Sequence, residues 1–422
     1  MACGPRRGDS TVCGSPVLRP AQLYSGGTRS AARTYPQESR EMKITGIETL
    51  TFNSRHHNAR RNWLLCKVLT DEPGVYGLGE GSILGQEQLV VSLLEEWCDT
   101  YLRGKDPLDS EVHWTRLHND FLVRGGRVAG TALSAVDIAL WDLKGKILGK
   151  PVYTLLGGAH TKRIRVYANG WYTNPGAPEL NAEEARKVVA MGYTAMKFDP
   201  FGQDNFFNIS LSEAQVAEDR VAAVRDAVGP NIDILVEVHA KFNVATAVQL
   251  GKRLEQYRPL FFEEPVSQEN PNEMAQVRRN VAIPIATGER LYGKFPFMQL
   301  IMAEAVDVLQ PDICNAGGIT ELKKIAAIAE AQHLSMAPHN TNSPVGTVAE
   351  MHLDATMQNF LIQEYHAEFY EPHYFEVVAG LPRQKAGYVE LSDRPGLGLT
   401  LNEELVKKHP FQKLGAPRRR GI

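Results

Sequence analysis

The sequence lacks the features of several specialised protein classes. Its 422 residues contain no uninterrupted apolar run of membrane-spanning length, so we expect a soluble protein. The net charge of −3 gives no excess of basic side chains, which argues against nucleic acid or a membrane surface as a partner. The cysteines are odd in number and lack metal-ligand spacing, which predicts free thiols in a reducing cytoplasm. They are Cys3, Cys13, Cys66, Cys98 and Cys314.

Two catalytic signatures are missing as well. No G-x-G-x-x-G pattern follows the first strand of the repeating part of the chain, so the sequence predicts no dinucleotide cofactor. No serine stands in a nucleophile-elbow context, which argues against the hydrolase arrangement. The chemistry must therefore come from other side chains.

The first 41 residues differ in composition from the rest. They contain six arginines against three acidic residues and no apolar segment of the kind found in secretory signals. We expect a disordered extension without a chemical role. A transit peptide, or an upstream start codon before Met42, would account for this composition equally well.

The rest of the chain divides into three predicted parts. Residues 42–164 combine strand-like segments with amphipathic helices and predict an α+β domain. Strand and helix alternate through residues 165–366, as in a (β/α) barrel, and we expect residues 367–422 to fold back onto the first domain. Within the barrel part, Asn181 followed by Glu184 predicts a helix N-terminus with a capping box.

Three glutamates end three successive strand-like segments at equal intervals. Glu237, Glu263 and Glu289 are 26 residues apart, and a strand, a helix and two loops require roughly 25 residues. Polar residues at the C-terminal ends of barrel strands meet in one ring, where such barrels have their active sites. Carboxylates that close apolar strands are costly without a partner charge, and an all-oxygen ligand set suits Mg²⁺. The sequence therefore predicts a magnesium site.

The same period continues with polar residues at the later strand ends. His339 beside Asp312 has the form of a general base, because a neighbouring carboxylate sets the tautomer of an imidazole and raises its basicity. His239 follows Glu237 by two residues, and alternate strand residues share a face, so we expect it to face the same ring. A divalent cation opposite a histidine base is suited to removing a proton α to a carboxylate.

The second strand carries Lys197 and Asp199, which we expect to face the barrel interior together. Lys197 could hold a substrate carboxylate or pair with one of the metal-ligand glutamates. A buried structural lysine would fit the sequence nearly as well.

From about Met42 onward the chain resembles the mandelate racemase branch of the enolase superfamily. The motifs that carry the resemblance cover most of the chain: SAVDIALWDLKGK, PVYTLLGG, LFFEEP, TGER, LQPDICNAGGIT and MAPHN. The segments VRGGR and APHN bring it nearest to acid-sugar dehydratases of the galactonate dehydratase type. This resemblance implies a modified TIM (β/α)₇β barrel with an α+β capping domain, Mg²⁺, and a small sugar acid enclosed between the domains. It also implies a homo-oligomer.

The resemblance also implies a role for each site residue. Glu237, Glu263 and Glu289 would be the metal ligands, and His339 with Asp312 would take the C2 proton. His239 would protonate the leaving 3-hydroxyl. Glu364, which ends the last strand, would lie near the substrate carboxylate and help to stabilise the enediolate.

Two departures from the family pattern affect the expected reaction. Racemases and cycloisomerases carry Lys-x-Lys on the second strand, whereas this chain has Lys197-x-Asp199, which argues against racemisation. Galactonate dehydratase-like members carry Asp where this chain has Glu237, so the preferred sugar need not be galactonate. We expect dehydration of an aldonic acid to its 2-keto-3-deoxy product. The alternatives are a cycloisomerase or epimerase on the same scaffold, and a binding or regulatory protein with little activity.

Overall fold

The computed structural model describes residues 1, 42–54, 61–83, 85–120, 125–174, 176–202, 206–370 and 372–413. Nearly all of the predicted N-terminal extension therefore lies outside the described residues. No helix within these ranges is long and apolar enough to cross a membrane.

A three-stranded antiparallel sheet packed against helices forms the first domain, as the strand-like segments predicted. Its strands pair in the order β1 (Ile44–Asn53), β2 (Asn62–Thr70) and β3 (Tyr76–Glu80). The helices are α1 (Glu87–Trp97), which continues into a π-helical turn (Cys98–Leu102), α2 (Ser110–His118), α3 (Gly126–Leu148) and α4 (Val152–Leu155).

Helix α3 lies unusually close to strand β3, and two glycines make this approach possible. A Cβ at Gly77 would lie 2.0 Å from the carbonyl oxygen of Ala139, and one at Gly79 would lie 2.1 Å from that of Ala135. Because any side chain at these positions would collide with backbone, the glycines set the distance between sheet and helix. Ala135 and Ala139 of α3 therefore pack directly against the sheet.

Eight parallel strands alternate with seven helices in the second part of the described chain. The strands are β4 (Arg163–Ala168), β5 (Ala195–Phe198), β6 (Asp233–Glu237), β7 (Phe262–Glu263), β8 (Ile285–Thr287), β9 (Val308–Leu309), β10 (Ser335–Met336) and β11 (Gln363–Tyr365). The helices between them are α5 (Pro178–Ala190), α6 (Leu211–Val228), α7 (Val244–Leu254), α8 (Pro271–Asn280), α9 (Lys294–Met302), α10 (Gly318–Glu330) and α11 (Pro344–Asp354). A short 3₁₀ helix (Glu255–Tyr257) follows α7.

The parallel strands curl into a closed barrel. Neighbours pair in chain order from β4 to β10, and β11 pairs with β4. Closure between β10 and β11 uses a parallel bridge from Met336 to Phe360 and a 2.8 Å bond from the Leu361 amide to the Met336 carbonyl. One buried side chain from each strand segment fills the interior, so the barrel is a packed core rather than a channel. These side chains are Tyr167, Ala195, Leu235, Phe261, Ala286, Val308, Ala337 and Ile362. The predicted (β/α)₇β barrel with its capping domain is confirmed.

The C-terminal part contacts both the first sheet and the barrel. It contains a 3₁₀ helix (Ala367–Tyr370), α12 (His373–Glu376), β12 (Val378–Ala379), β13 (Tyr388–Glu390), β14 (Thr400–Leu401) and α13 (Glu403–Lys408). Strand β13 pairs antiparallel with β4, and Phe52 of β1 forms an antiparallel bridge with Pro410. The boundaries predicted at residues 41, 164 and 366 stay predictions.

The capping box predicted at Asn181 is wrong. Helix α5 begins one turn earlier, at Pro178, whose fixed φ suits the first helical position. Asn181 is therefore inside the helix, and Glu184 accepts bonds from the amide (2.9 Å) and hydroxyl (2.7 Å) of Thr173 in the preceding loop. A capping box is present instead at α6, between Ser210 and Glu213.

Candidate active site

The three predicted ligand glutamates lie together at the C-terminal end of the barrel. Glu237 and Glu263 are the last residues of β6 and β7, and Glu289 follows β8 by two residues. Because these strands are parallel neighbours, one carboxylate oxygen of each glutamate lies within 4.8 Å of those of the other two. The sequence interval of 26 residues thus corresponds to one step around the barrel.

The negative charge of these carboxylates is only partly offset by the cationic side chains described around them. Lys197 on β5 places Nζ 2.8 Å from Glu263, 3.3 Å from Glu237 and 3.3 Å from Glu364. Oε2 of Glu263 is buried and has no hydrogen-bond partner within the described ranges, and Oε2 of Glu237 has only the 3.3 Å ion pair with Lys197. Burial and the charge of Glu237 raise the pKa of Glu263 well above its usual value, although Lys197 opposes the shift. Three converging carboxylates, one of them with an unpartnered buried oxygen among the described residues, form the ligand set of a divalent cation, so the residues present fit one.

A second glutamate in the LFFEEP motif, Glu264, lies in this region as well. Glu264 is buried, and its Oε2 accepts a 2.7 Å ion pair from Arg290, which also contacts Glu289. The spacing of the sequence pointed only to Glu263 of these two neighbouring glutamates. Glu264 has a φ of +43°, so the chain turns sharply just after the strand, and the two adjacent carboxylates take separate partners.

His339 and Asp312 form a close pair, although each lies beyond its strand rather than at its last residue. Nδ1 of His339 is 2.8 Å from Asp312 Oδ2, and Nε2 is 3.3 Å from Glu289 Oε2. The other oxygen of Asp312 accepts bonds from the Cys314 amide (2.8 Å) and the Asn342 side chain (3.2 Å). Because a carboxylate only accepts, the proton of the pair lies on Nδ1, and Nε2 faces the glutamates.

His239 faces the same ring, but for a different reason from the one predicted. Strand β6 ends at Glu237, and His239 follows in a turn with φ of +57°, so strand alternation does not orient its side chain. Its Nδ1 lies 2.9 Å from Asp199 Oδ2, while Glu237 accepts a 2.7 Å bond from its backbone amide. Burial lowers the pKa of His239, but Glu237 and Asp199 outweigh burial and raise it to about 9.

Asp199 and Lys241 complete this second cluster, and the sequence indicated only one of them. Asp199 stood out because it replaces a family lysine, but nothing paired it with His239. Lys241 is buried, and its ammonium group contacts both Asp199 and the carbonyl of Gly202. These residues come from loops that follow β5 and β6, so only the fold brings them together.

Lys197 and Glu364 lie beneath the site and are almost completely buried. Besides Lys197, Glu364 contacts the side chain of Asn169, and it accepts a 2.7 Å bond from the Asn340 amide. Of the two active roles the sequence left open for Lys197, pairing with ligand glutamates is the one that matches these contacts.

A cavity of about 770 Å³ lies between the capping domain and the barrel mouth. Barrel residues in its lining include His239, Glu289, Asp312 and His339, whereas Lys197 and Glu364 are not among its described lining residues. The capping domain contributes Arg61, Asn62, Ser82, Ile83 and Arg127.

Three loops are predicted from the sequence to select the substrate: residues 53–63, residues 79–86, and residues 202–208 after the second barrel strand. Arg61 and Asn62 belong to the first predicted loop, and Ser82 and Ile83 belong to the second; residues 55–60 and Leu84 of these loops lie outside the described residues. In the third loop, residues 203–205 are likewise not described, and its described residues are absent from the lining.

Comparison with known proteins defines the class. Residues 49–157 match the N-terminal domain of the mandelate racemase / muconate lactonizing enzyme family, and residues 181–405 match the family described as enolase C-terminal domain-like. The chain therefore belongs to the mandelate racemase / muconate lactonizing enzyme group of the enolase superfamily, as its motifs predicted.

Individual relatives and a solved structure are similar to most of this chain. The chain is 42% identical over 346 residues to the D-gluconate/D-galactonate dehydratase of Picrophilus torridus, covering 82% of this chain and 88% of that protein. It is 38% identical over 371 residues to the D-gluconate dehydratase of Thermoproteus tenax, covering 87% and 74%. The crystal structure of a mandelate racemase/muconate lactonizing enzyme from Sulfitobacter superposes with a TM-score of 0.83 at 33% identity, covering 89% of this chain and 97% of that one.

Proposed function

We propose that this protein is a hydro-lyase that dehydrates an aldonic acid of the gluconate or galactonate type to a 2-keto-3-deoxy acid. The observation that carries the proposal is that the imidazoles of two imidazole–carboxylate pairs, His339–Asp312 and His239–Asp199, line one cavity beside a carboxylate triad. The names of the relatives support the same substrate class.

Mg²⁺ is the proposed cofactor, held by Glu237, Glu263 and Glu289. Three carboxylates form an all-oxygen, hard ligand set, which suits Mg²⁺ better than softer metals that favour sulfur or imidazole. When bound, the ion supplies positive charge beside the substrate carboxylate, where negative charge increases as the C2 proton leaves. Lys197 and Arg290 contact the glutamates from outside the triad and would hold them in place.

In the proposed reaction one histidine is the general base and the other is the general acid. Nε2 of His339 takes the C2 proton, and Asp312 stabilises the resulting imidazolium through Nδ1. The electron pair of the C2–H bond first moves toward the substrate carboxylate, which gives an enediolate. That pair then forms the C2–C3 double bond as the C3–O bond breaks. His239 gives a proton to the departing hydroxyl, which leaves as water, and the enol product tautomerises to the 2-keto-3-deoxy acid.

A screen of C5 and C6 aldonates and aldarates with Mg²⁺ tests the proposal, with semicarbazide detection of 2-keto-3-deoxy acids. Product from at least one aldonate is the expected result, and it identifies the sugar. If every acid fails, hydrogen–deuterium exchange at C2 should be followed by NMR in D₂O. Absence of both product and exchange on the whole library would contradict the proposal.

A second candidate function is C2 epimerisation. The observation that favours it is that His239 has its own carboxylate, so the cavity contains a second imidazole that could accept or return a C2 proton. The missing second lysine therefore does not by itself remove a second base. Formation of the C2 epimer without 2-keto-3-deoxy acid would favour this function over dehydration.

A further inference from the structure

A buried lysine with no place in the proposed reaction lies behind His239. The Lys241 side chain is 5% exposed and is not among the described lining residues of the cavity, so it is not placed to touch a substrate. Its ammonium group contacts two acceptors, Asp199 Oδ2 and the carbonyl oxygen of Gly202. A buried charge of this kind is costly unless it is paired, so these contacts account for its place in the fold.

The contacts of Asp199 leave its carboxylate little freedom. Oδ1 accepts a 2.9 Å bond from the Phe201 amide, and Oδ2 accepts from both Lys241 and His239 Nδ1. The Asp199 side chain is fully buried, while that of His239 is 38% exposed. Because the carboxylate can only accept, Nδ1 of His239 carries a proton, and the opposite edge of the ring with Nε2 is the edge turned toward the cavity.

The backbone at this point would not hold the geometry unaided. His239 and Ala240 are two successive non-glycine residues in the left-handed region, with φ of +57° and +56°. Such conformations cost on the order of 1–3 kcal/mol each and persist only when the surroundings enforce them. Backbone bonds from Ala240 to Glu264 (2.8 Å) and from Phe207 to Lys241 (2.7 Å) enforce this turn. The Lys241 side chain adds a tie to Gly202, in the loop after β5.

We propose that Lys241 is a positioning residue, which acts through Asp199 to hold the His239 ring with Nδ1 bonded and Nε2 toward the cavity. Asp199 alone could turn or bond elsewhere, and the ammonium group fixes the same oxygen that the imidazole contacts. The kinetic consequence rests on the proposed function, since it assumes that His239 is the acid of the dehydration. The geometric consequence does not depend on it.

The geometric consequence is tested by NMR on the Mg²⁺-loaded, ¹⁵N-histidine-labelled protein at one pH. The Nδ1 proton of His239, assigned by its loss in His239→Asn, should exchange slowly with solvent because it is bonded to a buried carboxylate. Lys241→Met should accelerate this exchange at least about tenfold, and Lys241→Arg, which keeps a cationic donor, should restore part of the protection. The Nδ1 proton of His339 is the internal control, because its partner Asp312 does not contact Lys241. Unchanged protection of His239 in Lys241→Met would overturn the proposal.

The kinetic consequence is tested by the ratio of two rates. Lys241→Met should lower the rate of dehydration roughly tenfold to a hundredfold, part of the 10²–10⁴ that a general acid contributes, while C2 exchange in D₂O stays within about twofold. A merely structural lysine would lower both rates together. Lys67→Met is the matched control, because Lys67 is also a buried lysine (side chain 4% exposed) paired with Glu48 and Glu403, away from the cavity. It should leave the ratio unchanged.

The outcomes separate the two proposals. If no sugar acid reacts but Lys241→Met still exposes the His239 proton, the proposed function fails and the positioning role stands. The positioning role is wrong, and the proposed function stands, if Lys241→Met lowers dehydration and C2 exchange equally while its thermal midpoint equals that of the Lys67→Met control.

Discussion

The two histidine–carboxylate pairs have nearly the same distance between imidazole and carboxylate, but they differ in the groups that donate to the carboxylate. Nδ1 lies 2.8 Å from the carboxylate in His339–Asp312 and 2.9 Å in His239–Asp199. Asp312 is held by uncharged donors, the Cys314 amide and the Asn342 side chain, whereas Asp199 is held by the ammonium group of a lysine. The same motif of two side chains therefore has two different electrostatic supports.

This difference fits a division between a base and an acid. A group that gains a proton becomes an imidazolium, and a carboxylate whose charge is not offset stabilises it most. A group that must release its proton is helped when a neighbouring cation offsets part of the carboxylate charge. His339 also lies 3.3 Å from Glu289 of the triad, which adds negative charge on its other side. The groups that hold the carboxylate, rather than the pair itself, are the structural difference between the two histidines.

The largest effect is expected from removing the proposed base. His339→Asn should lower dehydration at least about 10³-fold and should lower C2 exchange with it, because both begin with loss of the C2 proton. Mg²⁺ affinity, measured by calorimetry, should change little, since the three glutamates remain. Dehydration at the wild-type rate would remove His339 from the mechanism.

The next largest effect is expected from replacing the second histidine, His239. His239→Asn should lower dehydration about 10²–10³-fold but leave C2 exchange in D₂O measurable, because proton removal precedes loss of the hydroxyl. The ratio of the two rates is measured by NMR on one sample. Equal loss of dehydration and C2 exchange would contradict separate roles for His239 and His339.

Smaller effects are expected at the carboxylates. Asp312→Asn should lower exchange and dehydration together by about tenfold to a hundredfold, whereas Asp199→Asn should lower dehydration alone by a similar factor. Asparagine keeps the shape of each side chain and removes its charge, so the two variants are matched. The same pattern of rates in both variants would contradict the proposed difference in role between the two pairs.

The smallest effect concerns a buried histidine that has no carboxylate partner among the residues that the structure describes. Nδ1 of His352 accepts a 3.3 Å bond from the Tyr153 amide, and Nε2 donates to the Leu397 carbonyl (3.4 Å). Burial lowers the pKa of His352 to about 4, whereas burial of His339 is outweighed by Glu289 and neighbouring carboxylates, which raise its pKa to about 9. The contrast shows what the acidic neighbours contribute.

This histidine should make the fold sensitive to acid. Because the unfolded chain binds the proton with a pKa near 6.5 and the folded chain only near 4, stability falls as the pH falls from above 6.5 toward 4. His352→Gln should reduce the loss of unfolding free energy between pH 7.5 and 5 by about 1–2 kcal/mol. Denaturant unfolding at the two pH values measures it. An equal loss in both proteins would show that His352 does not titrate on unfolding.

Much of the architecture was predictable because it depends on spacing. Equal intervals between Glu237, Glu263 and Glu289 give one strand and one helix per step, and neighbouring parallel strands then bring the three carboxylates within 4.8 Å. The pairing of His339 with Asp312 followed from the same rule applied one step further. The start of α5 was mispredicted because Asn181 and Glu184 satisfy the capping pattern equally well inside the helix.

What lies after each strand end depended on tertiary structure. His239 was expected on the strand, but β6 stops at Glu237 and a left-handed turn orients the ring instead. Lys241 gave no signal in the sequence, because its two acceptors belong to the loop that follows a different strand.

The sequence by itself determined the family, the barrel and the set of carboxylates and imidazoles around its mouth, because periodicity and motif are local properties of the chain. Only the tertiary structure decided which carboxylate each imidazole meets and which of them is backed by a lysine. Those choices depend on turns and buried contacts between loops that are distant in sequence, where hydrogen-bond geometry and the cost of burying an unpaired charge select the partner.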